Sequence, residues 1–133
     1  TCDHICQMVR GVFEGRVAFA DGDREIAPGL TVHLLGGHAK GIQVVRARTS
    51  RGWLVLASDA THYYENFETG RPFIITHDVE ATLRGYDRLR DLASSPAHVI
   101  PGHDPLVVRR YPAPEPRLEG VVARRDVEPR PGS

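Results

Sequence analysis

Three side chains able to ligate a metal ion stand in short loops spread along the chain. They are His38 in Gly36-Gly37-His38-Ala39-Lys40-Gly41, Asp59 in Ala57-Ser58-Asp59-Ala60, and His103 in Pro101-Gly102-His103-Asp104. Imidazole and carboxylate donors suit a borderline first-row cation such as zinc, and a carboxylate has two oxygens with which to bridge a pair of ions. Taken singly, each residue is weak evidence, because a Gly-His pair usually marks a turn and an Asp after a strand usually caps or turns the chain. Taken together, the order histidine, acid, histidine carries the metal reading. Gly37 and Gly102, one beside each histidine, allow a tight backbone at which the ring can reach a cleft.

Each of the three follows an apolar run that reads as a β-strand, so the elements explain the order. Leu30 to Leu35 precedes His38, Trp53 to Ala57 precedes Asp59, and His98-Val99-Ile100 precedes His103. Ile42 to Thr49 and Trp53 to Ala57, joined by Ser50-Arg51-Gly52, form the clearest hairpin, whose second arm reads as a buried central strand. Upstream, Asp3 is the expected N-cap of an amphipathic helix with the stripe Ile5, Met8, Val9, Val12 and Phe13. Val17 to Phe19, Glu25-Ile26 and the turns at Asp21-Gly22 and Pro28-Gly29 read as short strands and tight connections. Asp78 is expected to cap a second helix with the stripe Val79, Leu83, Tyr86, Leu89, Leu92 and Ala93, and Pro105 to open a brief third one ending near Tyr111.

Composition narrows the classes of partner. The 133 residues are 41% hydrophobic, which allows one modest core and not two domains. Seventeen basic and seventeen acidic residues leave no net field towards nucleic acid, and no segment reaches the roughly 20 apolar residues of a membrane span. The two cysteines, Cys2 and Cys6, fit a reducing compartment better than a disulfide scaffold, so a cytoplasmic location is expected. A chain that begins at Thr1, with its one methionine at Met8, reads as part of a longer product. Residues 1–112 are expected to form the body that carries the three candidate ligands. Residues 113–133 read as a Pro-rich tail, in which the segment 120–123 is apolar enough for one short strand.

These motifs resemble the metallo-β-lactamase superfamily, and within it the N-acyl homoserine lactonase-like hydrolases. The resemblance spans nearly the whole chain and rests on the His38 loop, on Leu56-Ala57-Ser58-Asp59-Ala60-Thr61-His62-Tyr63-Tyr64 and on Val99-Ile100-Pro101-Gly102-His103-Asp104-Pro105. It implies an α/β (α+β) fold, the C-terminal half of an αββα sandwich. It further implies that His38 helps hold one zinc ion, Asp59 bridges two, and His103 helps hold the other, with a metal-bridging hydroxide opening a lactone or ester. Catalytic roles follow by resemblance for Asp59 and for Tyr63 or His62, since such lactonases often place a substrate-binding tyrosine three residues after the bridging Asp, where this chain has His62. Tyr63 and Tyr64 can instead pack under the loop with their hydroxyls in water.

The family's first ligand cluster, of the form His-x-His-x-Asp-His, is absent from this sequence. Cys2-Asp3-His4-Ile5-Cys6 has ligand-type residues at the wrong spacing and does not replace it. The chain alone is therefore expected to be inactive and to expose a sheet face that invites homodimer formation or association. Two alternatives stand beside the lactonase reading: a glyoxalase II-like thioester hydrolase of the same fold, and a truncated non-catalytic fragment. Asp104 is expected to cap the helix at Pro105 more than to orient His103. His33, His77 and His98 are expected to be structural or surface residues.

Overall fold

The computed structural model describes residues 1–131. Five strands, β1 (Arg24–Ala27), β2 (Leu30–Leu34), β3 (Gln43–Thr49), β4 (Gly52–Ser58) and β5 (Val99–Pro101), form one sheet in sequential order. The helices are α1 (Cys2–Phe13), α2 (Tyr64–Thr69), α3 (Val79–Leu92) and α4 (Leu106–Arg110). Strands β2, β3 and β4 pair antiparallel in succession, whereas β4 and β5 pair parallel. Two reversals make β2 parallel to β4, so the C-terminal ends of β2, β4 and β5 open at the same edge of the sheet. That single topological fact brings residues 38, 59 and 103 to one place from distant parts of the sequence.

One face of the sheet is packed. Val44, Val55 and Val99 are buried with Tyr86, Leu89 and Leu92 of α3 and with Tyr64 and Phe67 of α2. Asp78 caps α3 as expected, its side chain accepting from the Ala81 amide. The stripe read from the sequence is correct at Tyr86, Leu89 and Leu92, but Val79 and Leu83 are exposed, and Thr82 and Gly85 take the buried positions nearer the N-terminus. Arg46 adds a tie across the layers, donating to the Leu92 carbonyl at 2.8 Å.

The opposite face is partly covered: Leu54 and Ile100 are buried there, while Leu56 between them is exposed. Cross-strand partners share a face, so Val32, Val45 and Leu56 form one row, and Leu56 is 40% exposed. The expectation of a fully buried second hairpin arm therefore holds at Leu54, Val55 and Ala57 and fails at Leu56. Exchanging the exposed Leu56 for Arg is expected to leave the unfolding midpoint little changed, checked by thermal denaturation.

Several local expectations are corrected. Helix α1 begins at Cys2 after Thr1, placing Asp3 in its first turn instead of at the cap. Its apolar stripe is not packed: Ile5, Met8, Val9, Val12 and Phe13 are all exposed, because no described element reaches that face. Val17 to Phe19 form no strand, since their backbone finds no ladder partner. His98 belongs to a 3₁₀ turn, Pro96–His98, and the strand starts at Val99. In the tail, residues 119–121 are a turn following the 3₁₀ segment Pro116–Leu118, in place of the strand expected at 120–123. The tail lies against the body: the Arg124 amide donates to the Pro112 carbonyl, and Arg51 donates to the Arg125 carbonyl.

Candidate metal centre

Each of the three loops is shaped by a specific backbone constraint. Gly37 has φ +93°, and a Cβ there would lie 3.0 Å from the Thr82 Cα, so glycine lets the His38 loop press on the start of α3. The Gly37 carbonyl accepts from the amides of His77 and Asp78, each at 3.0 Å. Ser58 ends β4 with φ +47°, a left-handed conformation that costs a non-glycine residue of order 1–3 kcal/mol and is repaid only by its surroundings. This kink, together with a shift of strand register between Leu56 and Ser58, swings Asp59 off the sheet edge.

Gly102 has a different role from that expected for it. A Cβ there would sit 2.5 Å from the Ser58 carbonyl oxygen and 2.7 Å from its carbon, so glycine is needed for close approach, not for a turn. The Gly102 amide donates to the Thr61 carbonyl and the His103 amide to the His62 carbonyl, both at 3.0 Å. Segments 61–62 and 102–103 are thus knitted together by their backbones, and the side chains of Asp59, His62 and His103 converge.

The side-chain geometry follows. Nε2 of His103 donates to Oδ1 of Asp59 at 2.6 Å, and Nε2 of His62 lies 3.6 Å from the same oxygen. The His62 ring stacks on Phe73 with centroids 3.6 Å apart and an interplanar angle of 12°, and its centroid is 4.4 Å from that of His103. Burial pushes the His62 imidazole below its ordinary range; repulsion from His103 adds to this, and Asp59 opposes it. This shift favours the uncharged imidazole, the form that can ligate.

His38 stands beside this trio, with its ring centroid 5.9 Å from that of His62. Its Nδ1 donates to the Ile75 carbonyl at 2.6 Å, which fixes the tautomer and leaves the Nε2 lone pair free. A free nitrogen oriented by a backbone carbonyl, a carboxylate with two oxygens and two more imidazoles form a donor set that fits zinc or a similar cation. Of the paired candidates after Asp59, the structure brings His62 to the cluster. Tyr63 is 46% exposed and meets the His62 ring at 6.4 Å, outside it. Tyr64 does pack beneath the loop, yet its hydroxyl is buried, not in water, and burial pushes its pKa up to about 12.

Asp104 does not orient His103. Its two oxygens accept from the backbone amides of Tyr64 and Leu106, at 3.0 and 2.9 Å, and so tie the start of α2 to the start of α4. Asp104→Ala is expected to cost roughly 2–4 kcal/mol by leaving two amides unpaired, with Asn retaining part of that, as read by chemical denaturation. The other histidines are held structurally: His33 by Thr31 and Asp23, His98 by Ser95 and the Arg51 carbonyl. His77 is exposed, with its amide on Gly37.

Phe73, the floor under His62, was not singled out from the sequence. One signal was available, an aromatic residue amid the polar loop that follows Asp59, but stacking across 11 positions has no periodicity to reveal it.

No family model matches the chain. It is 34% identical over 86 residues to the N-acyl homoserine lactonase of Bacillus cereus, covering 63% of this chain and 34% of that protein. The N-acyl homoserine lactonase AiiA of Bacillus thuringiensis subsp. kurstaki gives the same identity and coverage. The chain thus spans about a third of the length of the curated relatives it matches. Among solved structures, an N-acyl homoserine lactone hydrolase with the product N-hexanoyl-L-homoserine at its catalytic metal centre superposes with a TM-score of 0.59 at 31% identity. That match covers 65% of this chain and 35% of the other. AidC, a dizinc quorum-quenching lactonase, shares the fold at TM-score 0.54 and 14% identity, over 73% of this chain and 34% of its own.

Proposed function

From a chain similar in sequence and in fold to a part of the N-acyl homoserine lactonases, we propose a metal-dependent hydrolase that opens an acyl lactone, and so a quorum-quenching role. The observation that supports this best is the convergence of Asp59, His62 and His103, with His38 beside them, at one sheet edge. We assign residues 1–112 to the hydrolase part and 113–133 to a tail that braces it.

His38, Asp59 and His103 would hold zinc. Bound there, a metal pair would supply water activation and polarisation of the lactone carbonyl, the chemistry that otherwise needs a protein nucleophile. Asp59 holds the His103 ring through Oδ1, and the Ile75 carbonyl keeps the proton of His38 on Nδ1. Phe73 excludes water from one side of His62. His62 takes the place beside the reacting centre, with Tyr63 at the rim as a substrate contact.

The missing first ligand cluster would be supplied by further chain, whose sheet would cover the row Val32, Val45 and Leu56. Without it this chain would be inactive and would associate through that face. We place the protein in the cytoplasm, in keeping with two exposed free cysteines; no helix among the described residues is long and apolar enough to cross a membrane. A longer protein carrying both parts should open N-acyl homoserine lactones at least tenfold faster than it cleaves an acyl thioester of equal chain length. The reverse preference would move the assignment to the thioester hydrolases.

A further inference from the structure

We propose that His62 is a metal ligand in its own right, so that Asp59, His62 and His103 form a one-ion site which this chain completes by itself. The inference rests on reading this sheet edge as a metal centre, and it gives a ligand role to the position where the family resemblance implies a substrate-binding tyrosine.

The three donor atoms lie within 4.8 Å of one another, and among the described residues they are the group close enough to share an ion. Four-coordinate zinc with bonds near 2.0–2.1 Å sets its donors about 3.3 Å apart. The contacts of Asp59 Oδ1 to His103 and to His62, at 2.6 and 3.6 Å, fall on either side of that value, so small ring movements suffice. Two imidazoles and one carboxylate leave the fourth position open, the donor count of catalytic zinc sites.

The trio is also built, not merely adjacent. Phe73 stacks on the His62 ring and fixes its plane, while the His103 amide is bonded to the His62 carbonyl. His62 therefore cannot turn away without breaking contacts on both its ring and its backbone. His38, tied to Ile75, belongs to a second position that this chain does not complete.

The test is a zinc titration of the purified, chelator-stripped chain with Cys2 and Cys6 replaced by Ser, so that exposed thiols do not compete. One equivalent of zinc is expected by calorimetry, and His62→Phe, which keeps an aromatic ring on Phe73, should weaken binding tenfold or more. Should that variant fail to fold, histidine ring nitrogens observed by NMR in the chain with His62 intact give the same answer, since zinc should shift those of both His62 and His103. Shifts at His103 without His62, or equal affinity in His62→Phe, would overturn the inference and leave the metal reading standing. No zinc bound at either ring would overturn both.

Discussion

Gly102→Ala should damage the site more than any other single methyl group added to the chain. The new Cβ would meet backbone, not a movable side chain: the Ser58 carbonyl oxygen at 2.5 Å, its carbon at 2.7 Å and its Cα at 3.0 Å. Ser58 already sits at φ +47°, so it has little room to retreat, and Asp59 is the next residue. Overpacking of this kind costs roughly 1–3 kcal/mol, and here the displacement falls directly between two candidate ligands, Asp59 and His103. A lowered denaturation midpoint is expected, together with at least a tenfold loss of zinc affinity. Gly41→Ala, where a Cβ meets nothing within 4 Å, should change neither. Equal zinc affinity in both variants would mean that the Ser58–Gly102 contact does not set the ligand geometry.

The second large effect is expected at Asp59. In a longer protein that carries the missing ligand cluster, Asp59→Asn removes the charge that would balance the ions and leaves the size of the side chain unchanged. Charge stabilisation by such a centre is worth several kcal/mol, so lactone opening should fall by roughly 10²–10³. Asp59 is partly exposed and carries no core packing, so the thermal midpoint of the metal-free protein should barely move. A variant retaining activity within a few-fold would remove Asp59 from the centre.

The positions of the candidate ligands were legible because they follow from strands, turns and order. The β3–β4 hairpin, the Asp78 cap and the apolar run into His103 all have local signals, and from them one sheet edge carrying His38, Asp59 and His103 could be expected. What was not legible is set by tertiary approach. The His62–Phe73 stack, the kink at Ser58 and the Ser58–Gly102 contact join residues whose spacing has no period. For this reason His62 and Tyr63 could not be told apart in sequence, although the fold separates them clearly. The stripe of α1 shows the opposite case: its periodicity correctly forecast a helix, but burial needs a partner surface, and the described residues provide none. The strand expected at 120–123 failed for a related reason, since apolar residues become a strand only where a sheet edge can accept them.

The most direct test is ring opening of N-hexanoyl homoserine lactone by a longer protein containing both parts, stripped by chelator and then reloaded with zinc. About two ions per chain are expected, with activity lost on stripping and regained in proportion to zinc restored. Full lactone opening by protein shown to be metal-free, or a fully zinc-loaded protein unable to open the ring, would contradict it.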